Sequence, residues 1–385
     1  MDQQIYIACE GRKFGAWIDA DSRNNGYNSG DIIFTAPYII ESILREEMFC
    51  EKPLAITTVT STTILICNQL LSSADDFYNG AYYYNRTRNF ATTISDYTGS
   101  TKTLTLTAAD TAVVAGDIIE ITSIDYANKI DYASIDTIGN TTNGTRKDYK
   151  FGGSIVQQDT TANILSRLCF ESHCMLFENN TGKYKLVALD TDTATTNLID
   201  ESQIIGTPNI GKAKTIFNNF TISYCQNYAS NAFEKSITVN ELQSTLTVNT
   251  FTPADFTPDE DAGIVFYGGS ILTSLCGASV TRYKVHNPFD ENLIWVHDDT
   301  TANALTKKLI EWNYCPKIMV QLTGWRGNSF TTGYKPLLAY ELGDQCKVNH
   351  DILDPDISSV YIFMVVGKSI STNDQTVTLT LMQMR

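Results

Sequence analysis

Two stretches contain residue types found in ligand sites, but each lacks a residue that the chemistry requires. Gly367-Lys368-Ser369 follows an apolar strand, as in a phosphate-binding loop, but the position that needs an earlier glycine is Ile362. A strand is predicted to follow the triplet, so no helix N-terminus is available there to bind phosphate. We therefore interpret Gly367-Lys368-Ser369 as the end of a hairpin strand.

The second stretch has acidic residues at positions used by calcium-binding loops. Asp190, Asp192 and Glu201 occupy the first, third and twelfth positions of such a loop. Ala194 and Thr195 stand where the loop needs another oxygen ligand and a glycine for its sharp turn. We interpret this segment as a polar loop, so no calcium site is predicted.

Histidine and serine do not form a recognisable catalytic motif. The serine of Gly268-Gly269-Ser270-Ile271-Leu272 lacks the last glycine of a hydrolase nucleophile motif. Both Gly152-Gly153-Ser154 and Gly268-Gly269-Ser270 are predicted to be turns or bulges at strand ends. No two of the four histidines have the spacing of zinc ligands; they are His173, His286, His297 and His350.

Paired acidic residues are the remaining candidates for chemistry, since two carboxylates can hydrolyse a glycosidic bond. Every such pair also lies in an expected cap or turn, where Asp is common for structural reasons. We therefore assign no catalytic, cofactor-binding or metal-binding residue, and we predict that the protein is not an enzyme and needs no cofactor. The acidic pairs are Asp75-Asp76, Asp298-Asp299, and Asp354 with Asp356.

The cysteines indicate a reducing environment. They are odd in number, scattered, and contain no C-x-x-C pair, and most lie in apolar stretches such as the one that ends at Cys67. This pattern favours buried free thiols over a disulfide framework. The nine are Cys9, Cys50, Cys67, Cys169, Cys174, Cys225, Cys276, Cys315 and Cys346.

Composition and charge narrow the class of protein. At about 150 residues per domain, 385 residues suggest two or three domains. Charged residues are only 18% of the chain, and threonine, 20 tyrosines and 17 phenylalanines favour strands. The net charge of −15 argues against a protein that coats nucleic acid. No apolar run approaches the roughly 18 residues of a membrane span, and the first 20 residues do not resemble a signal peptide.

The first predicted helix follows Thr35. Thr35 can act as its N-cap, Pro37 suits its first turn, and the helix is expected to end before Pro53. The apolar face comprises Ile39, Ile40, Ile43, Leu44 and Met48, and the other face carries Glu41, Arg45 and Glu46.

Residues 54–124 are predicted to form a small β unit. Thr103-Leu104-Thr105-Leu106-Thr107 alternates polar and apolar side chains, as a half-buried strand does. The turn Ala115-Gly116-Asp117 leads into a last strand. Later in the chain, a helix–hairpin unit is expected up to Leu189, and a terminal hairpin is expected from Val360 to Leu381.

Two later helices begin with nearly the same sequence. Asp159–Leu165 and Asp299–Leu305 are identical at six of seven positions, and each helix is predicted to lead into a strand. Asp and Thr are preferred caps, so the match has a simple explanation in convergent capping. The alternative is that the subunit contains two related lobes.

The order of these segments resembles that of bacteriophage virion proteins. One group of segments resembles a small β module of phage structural proteins, and the others resemble tail hub or baseplate proteins, relatives of the type VI secretion spike base. The module resemblance rests on Asp75–Gly80, Thr93–Lys102 and Ala115–Asp117. The hub resemblance rests on Tyr38–Glu47, Ile130–Asp136, Gly182–Leu186, Glu341–Asp344 and Val365–Ile370.

The resemblance implies a fold that is mainly β with a few helices, built from barrel or sandwich domains of tail-hub type plus the inserted module. Family members usually carry a full β-barrel before the first helix, and about 35 residues precede it here. We therefore expect either a trimmed barrel or a different tail component, such as an adaptor. The expected regions are 1–52 (strand and helix of the hub-like domain), 53–124 (inserted β domain), 125–215 (helix–hairpin) and 216–385 (C-terminal β-rich region).

The resemblance also implies a function and partners. The chain is expected to be a structural tail protein that forms a ring around the DNA path and connects the tail tube to a spike or fibres. Expected partners are further copies of itself, as a homotrimer or secondarily a homohexamer, and the tube, baseplate, spike and fibre proteins. DNA would pass without specific binding, and assembly would occur in the bacterial cytoplasm. A receptor- or carbohydrate-binding tail protein is the alternative.

Overall fold

The fold is mainly β with a few helices and has curled, half-barrel sheets, which confirms the predicted fold class. The computed structural model describes residues 12–14, 27–28, 30–140, 144–153, 159–189, 195–212, 216–228, 230–242, 244–248, 269–325, 334–350 and 362–384. The chain divides into two compact units, one containing residues 1–148, 157–168 and 182–186, and the other containing the remainder.

In the first unit, helix α1 precedes a sheet whose seven strands all come from one uninterrupted stretch of the chain. Helix α1 (Ala36–Ile43) runs into a π-helical turn (Leu44–Met48). The sheet contains β1 (Glu51–Ala55), β2 (Thr58–Val59), β3 (Ile64–Ile66), β4 (Tyr82–Asn85), β5 (Phe90–Thr98), β6 (Thr103–Leu106) and β7 (Ile118–Thr122), in the order β1-β7-β4-β5-β6-β3-β2. Two short helices follow, α2 (Tyr126–Lys129) and α3 (Tyr132–Gly139).

Residues 51–122, which correspond to the predicted insertion and which we call the inserted module, have their own apolar core. The strands of the module alternate threonines with the buried side chains of residues such as Leu104, Leu106, Ile119 and Ile121. The first and last strands pair with each other, Glu51 opposite Ile121, so the chain enters and leaves the module at neighbouring positions. This is the geometry that an inserted domain requires.

Helix α4 (Thr161–Glu171) and the two-stranded hairpin β8 (Cys174–Glu178) and β9 (Tyr184–Ala188) follow. The second unit then contains a six-stranded sheet with the order β10-β17-β18-β19-β16-β11 and a four-stranded sheet with the order β14-β13-β12-β15. These strands are β10 (Leu198–Asp200), β11 (Asn209–Lys212), β12 (Asn219–Asn227), β13 (Ala232–Val239), β14 (Ser244–Val248), β15 (Pro288–Asn292), β16 (Ile318–Trp325), β17 (Gln345–Asn349), β18 (Phe363–Ser371) and β19 (Thr376–Gln383), with helices α5 (Gly269–Tyr283) and α6 (Asp299–Asn313).

The face of helix α1 opposite its apolar side contains a buried ion pair between Glu41 and Arg45. Both side chains are fully buried, and Glu41 Oε1 accepts hydrogen bonds from Arg45 Nη2 at 2.7 Å and from Arg45 Nε at 2.9 Å. Helix α1 packs against α3, and its π-helical continuation packs against β7. Because both sides of the helix are covered, the two charges are buried together, and their pairing offsets the cost of desolvation.

Two local predictions are wrong. Gly367 and Lys368 lie inside β18, at a bulge where the pairing with β19 shifts by one residue, and not at the end of a strand. Gly269 and Ser270 open helix α5, where a turn or bulge at a strand end was predicted. The α5 sequence mixes Ser, Thr, Gly and β-branched residues, which are weak helix formers, so its helical pattern is faint.

Candidate functional site

A buried polar cluster lies at one end of the inserted module. Asp110 Oδ2 accepts hydrogen bonds from Tyr83 Oη at 3.0 Å and from Asn85 Nδ2 at 2.8 Å. Asp117 Oδ2 accepts bonds from Asn85 Nδ2 at 3.2 Å and from Arg88 Nε at 2.9 Å. The two carboxylates are 1% and 4% exposed, so Asn85 bridges two buried acids.

The electrostatics of this cluster keep Asp117 ionised. The hydrogen bond from Arg88 is the main cause that holds the pKa of Asp117 below its usual range. Burial, together with the charge of Asp110, raises the pKa of Tyr83 well above that of a free phenol. Acceptors and donors are matched throughout, so the cluster locks β4 to the loop before β7 and offers no reactive group.

The second candidate is a pocket of about 200 Å³ in the second unit, which we call the β18 pocket. Its polar groups come from Glu178, Asn179, Asn180, Glu341 and Lys368, and its apolar surface comes from Phe177, Leu342 and Ile370. Lys368 reaches it from β18, just after the bulge between Val365 and Gly367, and Asn180 reaches it from the turn between β8 and β9.

The ammonium group of Lys368 is fully engaged in this pocket. Nζ donates to the backbone oxygens of Leu338 at 2.6 Å and Tyr340 at 2.8 Å, and to Asn180 Oδ1 at 2.9 Å. Burial lowers the pKa of Lys368, partly opposed by the charge of Glu341. The backbone N–H of Asn180 donates to Glu341 Oε1 at 3.1 Å, so amine, amide and carboxylate meet in one place. Sequence reasoning noticed Lys368 only as part of an incomplete phosphate loop and missed this cluster.

Exposed edges and apolar side chains are the features suited to binding other proteins. Strands β10 and β11 are the outer strands of the six-stranded sheet. On β11 the side chain of Ile210 is 40% exposed, and at the end of β16 that of Trp325 is 48% exposed. In the inserted module, Leu71 is 82% exposed. Unpaired strand edges and exposed apolar groups are common points of contact between chains.

The structure separates the sequence-level candidates for catalysis. Asp75 accepts a hydrogen bond from the backbone N–H of Gly99, and Asp298 caps α6. Asp299 accepts bonds from Tyr224 Oη at 3.0 Å and Lys235 Nζ at 2.8 Å. Within the described residues no group of three or more His, Cys, Asp or Glu side chains is placed to hold a metal ion. Asp190, Asp192, Asp354 and Asp356 lie outside the described residues, as do Cys9, Ser154 and Gly268.

The structure also places the histidines in separate surroundings. His173 lies edge-on to Trp312, His286 contacts Glu241, and His297 lies beside Tyr228. Burial lowers the pKa of His297. The eight described cysteines, from Cys50 to Cys346, are free thiols. None of the described helices is long and apolar enough to span a membrane.

The two similar helix starts are built differently. In α4 the cap is Thr160, whose Oγ1 accepts the N–H of Asn163 at 3.2 Å. In α6 the cap is Asp298, which accepts both the N–H and the hydroxyl of Thr301 at 2.9 Å. The shared sequence therefore sits at two different positions relative to the start of the helix. Helix α4 leads into a two-stranded hairpin, and α6 leads into the six-stranded sheet.

Comparison with known proteins gives structural neighbours only. No protein-family model matches the chain, and no curated protein matches it. Similar solved structures include a tail protein from Neisseria meningitidis MC58 (10% identity, TM-score 0.34, covering 70% of this chain and 75% of that one). The prophage tail protein gp18 from Listeria monocytogenes EGD-e is also similar (10% identity, TM-score 0.29, covering 88% of this chain and 88% of that one). A third is the 43 kDa tail protein of prophage MuSo2 from Shewanella oneidensis (11% identity, TM-score 0.32, covering 86% of this chain and 93% of that one). All three are tail proteins, and two of them come from prophages.

Proposed function

We propose that this chain is a structural protein of a bacteriophage tail, at the hub, baseplate or adaptor position. The observation that carries the proposal is the order of the segments that resemble hub proteins. Tyr38–Glu47 spans α1 and its π-helical turn, and Ile130–Asp136 leads into α3. Glu341–Asp344 forms the turn before β17, and Val365–Ile370 lies in the terminal hairpin.

The inserted module supports the same proposal. It interrupts the hub-like order between α1 and α3, and its two ends are held side by side. The backbone N–H of Ser123 donates to the carbonyl of Arg45 at 3.0 Å, and that of Ile124 donates to the carbonyl of Phe49 at 2.9 Å. A module attached in this way can be added to a scaffold without altering it, and its exposed loops are then available to contact a neighbouring tail protein.

The charge of the chain suits a position around the DNA path. The excess of 43 acidic over 28 basic residues gives a net charge of −15. Like charge repels the phosphate backbone, so DNA can slide past without binding. Solubility would explain an acidic chain equally well. The charge therefore agrees with the proposal but is not the evidence on which it rests.

We propose a homotrimer as the first choice and a homohexamer as the second, since head-to-tail contacts that close on themselves produce rings. Such a ring would connect the tail tube to a spike or fibres. The two similar segments, 159–190 and 299–322, would give three subunits six related surfaces if the segments are related by rotation. Because helices α4 and α6 have different caps and lead into different sheets, the proposed rotation between the two segments is the part of the proposal that most needs an experimental test.

The test combines mass in solution with imaging of the particle. Light scattering at micromolar concentration should give the mass of three or six chains, and electron microscopy of the virion should place them in a ring on the tail axis. A monomer or dimer in solution that decorates the outside of the tail would contradict the proposal. Binding on a glycan array would favour the receptor-binding alternative, and clearing of peptidoglycan in a zymogram would show that the protein is an enzyme.

A further inference from the structure

We propose that Lys368 and Asn180 join in an intramolecular isopeptide bond, with Glu341 as the group that accepts and returns the proton. An amine, a side-chain amide and a carboxylate are the three groups that this reaction needs, and the β18 pocket places them together. The bond would link the turn between β8 and β9 to strand β18, which are 188 positions apart in sequence.

The first argument is the distance over which the bond would form. Lys368 Nζ lies 2.9 Å from Asn180 Oδ1. A carbonyl bond is about 1.2 Å long, so the carbon Cγ lies no more than about 4 Å from Nζ. Reacting atoms in near-attack arrangements are about 3–3.5 Å apart. A small rotation of the Asn180 side chain therefore brings the carbonyl carbon to the amine.

The second argument is the direction of the amine lone pair. As an ammonium group, Lys368 donates its three protons to three oxygens, those of Leu338, Tyr340 and Asn180. The bonds to the two backbone oxygens are the shorter ones, at 2.6 and 2.8 Å. When one proton is lost, the remaining two can keep those bonds. The lone pair then occupies the third direction, towards Asn180 Oδ1, and rotation of the Asn180 side chain brings Cγ into that direction in place of Oδ1.

The surroundings determine how easily the amine loses its proton. Burial is the main influence and lowers the pKa of Lys368, and the charge of Lys335 acts in the same direction. Glu341 and Asp344 act in the opposite direction. Asp344 is itself held by Lys335 Nζ at 2.5 Å and by the backbone N–H of Glu341 at 2.9 Å. Glu178 and Glu341 both line the pocket, and Glu341 is the one that accepts a hydrogen bond from the Asn180 backbone, so we assign it as the proton acceptor.

The reaction balances without an added reagent. The Lys368 ammonium gives one proton to the Glu341 carboxylate, and the neutral amine attacks Asn180 Cγ to form the Nζ–Cγ bond. A second proton moves from Nζ to the amide nitrogen Nδ2. The Cγ–Nδ2 bond then breaks, and ammonia leaves and takes up the proton held by Glu341. The products are a secondary amide and an ammonium ion, and no group is oxidised or reduced.

The neighbouring asparagine provides a matched control. Asn179 Oδ1 accepts the backbone N–H of Thr181 at 2.9 Å and its hydroxyl at 2.7 Å, so this amide serves the turn itself. Asn179→Asp keeps that acceptor and should leave the cross-link intact. Asn180→Ala changes an exposed turn residue and should abolish the cross-link. Both variants alter the same loop, so only the chemistry at position 180 separates them.

The test is the mass of the purified full-length protein, measured under denaturing conditions. The expected mass is lower than that of the sequence by one ammonia. Trypsin should leave Lys368 uncut and yield residues 168–183 joined to residues 348–385. Joined peptides distinguish this bond from a succinimide, which also releases ammonia. A full-mass chain with separate peptides, after prolonged incubation near neutral pH, would overturn the proposal.

The role of Glu341 is tested by Glu341→Gln. Glutamine has nearly the same shape and keeps an oxygen acceptor for the Asn180 N–H, but it does not take up a proton at neutral pH. The joined peptide should be lost from this variant and return in Glu341→Asp, at least in part. Equal amounts of joined peptide in wild type and Glu341→Gln would remove Glu341 from the mechanism.

Discussion

The inserted module and the six-stranded sheet are built in opposite ways. Every strand of the module comes from residues 51–122, and three of its six neighbouring strand pairs are consecutive in the chain. The six-stranded sheet takes its strands from residues 198–383 and places β10 beside β17 in parallel. Local pairing costs little chain entropy, whereas distant pairing requires long loops to be closed first. We therefore predict that the module folds by itself and that the six-stranded sheet depends on the rest of its unit.

The largest expected difference between the two regions is in isolated fragments. Residues 51–125 expressed alone should melt cooperatively and show strand-type circular dichroism, because the fragment keeps all seven strands and its own core. Residues 316–385, which keep only β16 to β19, should be unfolded because β10 and β11 are missing from the sheet. If the first fragment is disordered, or if the second melts cooperatively, the comparison fails. The domain boundary predicted at residues 53–124 depends on the first result.

The next largest effect is expected at Gly324 in β16. A Cβ at this position would lie 2.1 Å from the backbone oxygen of Gln203 and 2.2 Å from Leu337 Cδ1. Gly324→Ala should cost about 3 kcal/mol or more of unfolding free energy, because a backbone atom must move. Gly211→Ala, in β11 of the same sheet, meets nothing within 4 Å and should be nearly neutral. Urea unfolding of both variants checks this, and equal midpoints would contradict it.

A smaller and more local effect is expected at Gly99 in the module. Its Cβ would lie 2.3 Å from the backbone oxygen of Ser73, so Gly99→Ala must displace the loop before β4. We expect about 2 kcal/mol of destabilisation, visible as faster hydrogen exchange within residues 51–122 alone. Thr98→Ala, at an exposed neighbouring position, is the control. Faster exchange in β16 to β19 as well would show that the two regions unfold together.

The smallest expected effect is the acid sensitivity of the module. Arg88 holds the pKa of Asp117 below its usual range, so the carboxylate stabilises the folded module above the unfolded pKa of about 4. That contribution is lost as the pH falls through the lower folded pKa. Melting of the module between about pH 5 and pH 2 should therefore depend less on pH in Asp117→Asn than in the wild type. Equal pH dependence in Asp117→Asn and in the wild type would contradict this prediction.

Local sequence pattern predicted the elements whose signal is contained within a few neighbouring residues. The alternation at 103–107 became β6, the Asp298 cap began α6, and the predicted terminal hairpin became β18 and β19. The same reasoning missed α5, whose residues have little helical preference and no strong apolar face. Its helical form therefore depends on its tertiary environment.

Local sequence pattern could not predict the candidate site. Asn180 and Lys368 are 188 positions apart, and the pairing of β18 with β17 and β19 decides which loops reach the lysine. The bulge between Val365 and Gly367 shifts the register with β19 just before Lys368. A shift of one residue reverses which face of a sheet each side chain points to, so no count along the sequence could place this amine.

The sequence by itself determined that this protein is mainly β with a few helices, that Asp298 caps α6 and that residues 103–107 contain a strand. These features follow from side-chain alternation and capping, which act over a few residues. Only the tertiary structure decided that Glu41 and Arg45 are buried together and that Lys368 meets Asn180 and Glu341. The physical reason is that charge burial and side-chain encounter depend on which distant segments pack against each other, and that packing is set by the whole chain.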